Sequence, residues 1–112
     1  IRYADVLLMA AEAFNKTGDD GKARNYLNQV RRRAFGNNSQ DITSSGTALY
    51  ESILVERRLE LAMEGDRFFD LVRTGKAQAV LTPLGFAAGK HELFPIPQQE
   101  VDGSGITQNP NY

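Results

Sequence analysis

The chain contains no cysteine and no tryptophan, only one histidine, and no long apolar run. Without cysteine there are no disulfides and no thiolate metal sites, and the redox compartment stays open. With His91 as the single imidazole, little material exists for a nucleophilic triad, and no Gly-x-Ser-x-Gly elbow is present. A di-iron helix bundle is excluded on the same ground, because it needs Glu-x-x-His elements on two helices. No stretch approaches the ~20 apolar residues of a membrane span. Residues 1–13 are interrupted by Arg2, Asp5 and Glu12, which does not suit a signal peptide. Neither charge sign dominates: 13 Lys and Arg stand against 14 Asp and Glu, for a net charge of -1. That balance argues against a dedicated nucleic-acid binder. What remains, at 41% hydrophobic and 24% charged residues, is the composition of a soluble globular domain. The chain starts at Ile1, not Met, and is expected to be a fragment of something longer.

Helical periodicity dominates the first 82 residues. Tyr3, Val6, Leu7, Ala10, Ala13 and Phe14 form a stripe with Asp5 near the favourable N-terminal pole. Gly18-Asp19-Asp20-Gly21 is a turn. Ala23, Tyr26, Leu27, Val30 and Ala34 then form a second stripe, so residues 1–35 read as an antiparallel helical hairpin. Leu7, Ala10, Ala11, Phe14, Ala23, Leu27 and Val30 also reproduce the intervals of a tetratricopeptide repeat, without the Trp, Gly and Pro of its strict consensus. A single pair cannot bury both its faces and needs neighbours. Gly36 to Gly46 is a polar surface loop. Residues 47–82 are expected to hold further helices: one from Thr47, as N-cap, to Glu64 with Gly65 ending it, one capped by Asp66, and a short one from Ala77 to Leu81. Residues 83–112 read as a loop-rich tail in which Leu93-Phe94-Pro95-Ile96-Pro97 docks as an extended strap.

The stretch from Glu56 to Arg73 is at once charged and apolar. Glu56, Glu60 and Glu64 stand four apart on one helical arc, a mildly repulsive spacing. Arg57, Arg67 and Arg73 are the compensating cations nearest in sequence, and Arg31 lies where it can reach the same acidic helix. Paired carboxylates can ligate metal or transfer protons, but helix-borne Glu/Arg clusters are more commonly structural. His91-Glu92 lacks the second histidine of a zinc-protease helix. Gly85-Phe86-Ala87-Ala88-Gly89-Lys90 is one residue short of a phosphate loop and is followed by His91 where Ser or Thr is required. Arg31, Arg32 and Arg33 point in three directions about 100° apart and form no common patch. Phe86, Phe94 and Tyr112 are the only candidates for stacking on sugars or bases, with core packing the simpler role. No catalytic, metal, cofactor-binding or ligand-binding residue is assigned.

Four segments, in order, resemble the C-terminal region of the SusD/RagB family of outer-membrane nutrient-binding lipoproteins. They are Arg2-Tyr3-Ala4-Asp5-Val6-Leu7-Leu8-Met9 with Ala11-Glu12-Ala13; Leu27-Asn28-Gln29-Val30-Arg31-Arg32-Arg33-Ala34; the block from Glu56 to Arg73; and Gly89-Lys90-His91-Glu92-Leu93-Phe94-Pro95-Ile96-Pro97 closing with Gln108-Asn109-Pro110-Asn111-Tyr112. Asp66 stands where the family often has His, Phe68 where it has Trp, and Asn111 where it has Gly. The resemblance implies an all-α fold of tetratricopeptide-like helix pairs followed by a loop-rich, proline-containing tail, residues 1–112 being one segment of a larger protein. It also implies a non-catalytic subunit, lipid-anchored at the cell surface in the outer membrane of Bacteroidota. Such a subunit captures glycans, or in some members peptides, for a SusC-like TonB-dependent transporter. The lipid-bearing cysteine and the sugar-stacking aromatics would lie upstream, leaving this segment as scaffold. Two other readings are a tetratricopeptide adaptor for peptide tails, which does not explain the proline-rich tail, and a glycan-processing enzyme using the three glutamates. The latter needs carboxyls facing across a cleft about 5–9.5 Å wide, whereas these point the same way. With one clear helix pair, the isolated chain is expected to be marginally stable.

Overall fold

The computed structural model describes residues 1–112, with six α-helices, one short 3-10 turn and no strand. The chain divides into two compact units, residues 1–65 and 66–112.

The first unit holds α1 (Tyr3–Lys16), α2 (Asp20–Phe35) and α3 (Gly46–Glu60). Gly18, at φ 86°, supplies the left-handed residue that lets α1 turn back into α2. Asp19 caps α2 by accepting a hydrogen bond from the Lys22 N–H at 3.0 Å. Leu7, Leu8, Ala11, Ala23, Leu27, Val30, Leu49 and Ile53 make the core, with Phe14, Tyr26 and Ile42 packed against it. Ala11 and Ala23 are wholly buried, which is what small residues at the tetratricopeptide positions permit: two backbones in close approach. The wider stripes are only partly used. Tyr3, Val6, Ala13 and Ala34 are exposed, because α3 packs against the other flank of α1.

The loop between α2 and α3 is stitched to the polar edge of α2. Asn28 pairs with both backbone groups of Ile42, donating at 3.0 Å and accepting at 2.8 Å. Arg31 Nε donates to the Gln40 carbonyl, and Arg24 to that of Ser44. Helix α3 starts at Gly46, after Ser45 and not at a Thr47 cap, and the Gly46 N–H is taken by the Asp20 carboxylate at 2.6 Å. It also ends at Glu60, four residues short of the expected Glu64. The reason is distant in sequence: Arg2 Nη2 donates to the Glu60 carbonyl at 2.7 Å, replacing a partner from the next turn. Met63 then leaves the helix at φ 68°.

The second unit holds α4 (Arg67–Arg73), α5 (Ala77–Leu81), the 3-10 turn Thr82–Leu84 and α6 (Gln98–Ser104). Asp66 precedes α4 as expected, but its side chain makes no cap bond. Helix α6 lies in what the sequence marks as loop. It buries no residue and so carries no apolar stripe; local bonds hold it, including Gln98 to Asp102 at 2.7 Å. Its readable signals are Pro97 at the start and Gly105, at φ 68°, at the end. The segment 93–97 has no regular secondary structure, with a bend at Leu93, and side chains satisfy its backbone where prolines forbid a ladder. Gln108 brackets both backbone groups of Ile96 at 2.8 Å, Asn109 donates to the Phe94 carbonyl, and Tyr112 Oη to that of Leu93.

Candidate functional site

Every carboxylate of the acidic arc meets an arginine, and none of these comes from the neighbouring sequence. Arg31, on α2, donates to Glu56 at 2.6 Å, with both side chains mostly buried. Glu60 lies between Arg2 at 2.8 Å and Arg33 on α2. Arg2 also reaches Glu64 at 2.6 Å. The locally expected partners act elsewhere: Arg57 is buried and pairs with Asp5 of α1 at 2.9 Å, Arg73 pairs with Asp70, and Arg67 is exposed. Long-range packing thus brings α1 and α2 cations onto α3, which no spacing rule within one helix anticipates. The reach of Arg31 to the acidic helix is as the periodicity suggests.

The electrostatics disfavour proton transfer here. Burial pushes the Glu60 carboxyl up, but the hydrogen bonds from Arg2 and Arg33 outweigh it and hold the group below its ordinary range. A general acid needs the opposite shift. The Arg2 guanidinium is raised in turn by its bonds to Glu64 and Glu60. The basic run beside it is dispersed: Arg31 binds Glu56, Arg32 binds Asp41, and Arg33 binds Glu60. The Arg32 bond holds the Asp41 carboxyl below its usual range despite some desolvation. No three-arginine phosphate cradle forms.

In the second unit, His91 is half-buried, its Nδ1 accepts the Ala87 N–H at 3.0 Å, and its ring meets Phe86 edge-on at 5.8 Å. It is a satisfied loop histidine. Gly85 and Gly89 take left-handed conformations but open no helix, so the phosphate-loop geometry is missing. Lys90 lies over the Tyr112 ring at 4.7 Å.

The aromatics divide between the two roles the sequence leaves open. Phe68 is the hub, 6.5 Å from Phe86 and 6.0 Å from Phe94. Phe68 and Phe86 are half-buried, while Phe94 is 68% and Tyr112 44% exposed. With Leu81, Leu84, His91 and Leu93 they line an open groove of about 380 Å³. Its size is that of a small-ligand site, but it has few polar groups to orient a sugar. A second groove, of about 550 Å³, opens between α1 and α2 over Tyr3, Leu7 and Val30, rimmed by Arg2, Arg32 and Arg33. Nothing in the sequence signals this groove, since the periodicity reads Tyr3 and Val6 as core whereas the structure leaves both exposed.

The ordered blocks that run through these elements have counterparts. The family model described as the SusD family matches residues 1–85. The chain belongs to the SusD family. Among relatives, SusD-like protein P38 of Formosa agariphila is 36% identical over 99% of this chain and 24% of its own length. SusD-like protein P2 of the same organism is 33% identical over 100% and 25%. A solved structure described as a laminarin binding SusD-like protein superposes with a TM-score of 0.83 at 50% identity, over 100% of this chain and 22% of that one. A SusD homologue from Bacteroides thetaiotaomicron superposes at 0.85 and 40% identity, over 26% of its length. The chain therefore spans about a quarter of each of these SusD-like proteins, and its all-α fold superposes on the matching part of the two solved ones.

Proposed function

We propose that the polypeptide carrying this chain is a non-catalytic, glycan-binding lipoprotein of the outer membrane that serves a SusC-like TonB-dependent transporter, with residues 1–112 mainly as scaffold. The observation that carries the reading is the 50% identity, across the whole chain, to a SusD-like protein described as laminarin binding. The scaffold role has support in the chemistry above. The acidic arc is spent on arginines that join α1, α2 and α3, and the aromatic groove around Phe68 is poor in hydrogen-bonding groups. A peptide ligand remains the second reading, on the resemblance alone.

The test is affinity electrophoresis and calorimetry of the full-length protein against a glycan panel that starts with laminarin. Binding without turnover, unchanged by Phe94→Ala or Tyr112→Ala, is the expected result. Loss of affinity in those variants at unchanged thermal stability would move the ligand into this segment. Release of reducing ends would overturn the non-catalytic reading.

A further inference from the structure

The turn at residues 87–91 is tied by one residue. The Ala87 N–H donates to Nδ1 of His91 at 3.0 Å, and the Ala87 carbonyl accepts from the His91 N–H at 3.0 Å. A backbone amide can only donate. Nδ1 is therefore the lone-pair nitrogen, and the ring proton sits on Nε2. Phe86, next to the tied residue, forms part of the wall of the aromatic groove of about 380 Å³, and the imidazole lines the same groove. Helices α4 and α5 and the 3-10 turn bring only Phe68, Leu81 and Leu84 to it. The other titratable group there is Tyr112, whose hydroxyl donates to the Leu93 carbonyl at 2.9 Å. Of the charged neighbours in sequence, Lys90 holds its Nζ over the Tyr112 ring at 4.7 Å. Glu92 buries Oε2 without a hydrogen-bond partner, so that atom takes no N–H from the ring. His91 is also the only residue of the chain whose type ordinarily changes charge between pH 5 and 8.

We propose that His91 is an acid-sensitive latch on this turn and on the groove wall beside it. With a neutral ring the turn is closed, and Phe86 stands in the wall. A proton taken from solvent at Nδ1 converts the acceptor into a second donor. Two N–H groups then face each other, and the bond to Ala87 gives way to repulsion. The Ala87 N–H goes to water, the turn opens, and Phe86 is freed from the wall. The sign follows from the hydrogen bond: closing requires the unprotonated ring, so the tie is held where imidazole is neutral and lost as pH falls and the ring takes its proton. The opening is local. The core of the first unit contains no histidine, and its helices keep their packing. The inference concerns the turn alone and is independent of the ligand.

Hydrogen exchange of the full-length protein at pH 8 and pH 5, corrected for the intrinsic pH dependence of exchange, reads the latch in peptides that cover residues 86–92. Protection of the Ala87 amide is expected to fall by up to about 30-fold, the ratio of protonated to neutral form for an ordinary imidazole at pH 5, while that of Leu27 holds. His91→Asn offers an amide oxygen in place of Nδ1 and cannot titrate, so its protection should not change between the two pH values. His91→Leu offers no acceptor and should be open at both. Unchanged protection in the unsubstituted protein would overturn the proposal, whatever the variants do. An equal fall in His91→Asn would also overturn it, by assigning the acid response to another group. So would a His91→Leu turn as protected at pH 8 as the original.

Discussion

Replacing Arg31 by methionine tests whether the arginine–carboxylate pairs hold the first unit together. Methionine keeps the apolar stem and deletes the guanidinium that meets Glu56 at 2.6 Å. The stranded carboxylate sits in a side chain only 6% exposed. Breaking a buried pair from one side costs about 3–5 kcal/mol. A stranded glutamate can always escape by taking a proton, which for an ordinary glutamate near pKa 4.3 costs about 3.7 kcal/mol at pH 7. That escape sets the ceiling for the charge part. Loss of the Arg31 bond to the Gln40 carbonyl adds little, because water can replace it at so exposed a loop. The expected loss is therefore about 3–4 kcal/mol at pH 7, read by urea titration with far-UV circular dichroism. At pH 5 the ceiling falls to about 1 kcal/mol, so the deficit should shrink. The double variant Arg31→Met with Glu56→Leu removes both charges and should recover most of the loss. A single variant that costs under ~1 kcal/mol, or a double variant as damaged as the single, refutes the reasoning.

Other outcomes follow from the same contacts. The folded-state carboxyls of Glu60, Asp41 and Asp19 lie below their ordinary values of 4.5 and 3.8, so each contributes stability that is present above those values and lost as pH falls through the depressed ones. Acid titration should therefore show a loss of stability setting in below about pH 4.5, and a midpoint flat to pH 3 would contradict it. Gln108→Leu removes both side-chain bonds to Ile96, and amide exchange at Ile96 should accelerate while that of Leu27 stays slow. Residues 1–112 expressed alone should melt broadly and at low temperature, since large apolar side chains such as Tyr3 and Phe94 stand exposed; a sharp, high calorimetric transition would count against this.

The hairpin and its close-packed alanines were legible because tetratricopeptide spacing is local and periodic. The link from Arg31 to the acidic helix was legible too, from its place beside the apolar stripe. The remaining partners were not. Glu60 and Glu64 are met by Arg2, whose hydrogen bond to Glu60 spans 58 positions. The same contact shortens α3, and nothing between Thr47 and Glu64 announces it. Helix α6 escaped for the opposite reason. It is held by local bonds and has no fully buried residue, only Val101 being half-buried, so the apolar period that reveals a helix is absent from it. The stripe at Tyr3, Val6 and Ala13 was read as core, because a sequence shows which face is apolar but not whether anything lies on it.

The Arg2 contact also bears on time. During synthesis, α1 and α2 are complete long before Glu60 leaves the ribosome, so the hairpin can form while α3 lacks its C-terminal partner. Closing that long loop draws on residues near the two ends of the unit, and long closures come late and slowly. Until then the α3 end is open to solvent and to proteases. A nick between Gly36 and Gly46 would leave the helices present but force Arg2 and Glu60 to find each other through packing alone.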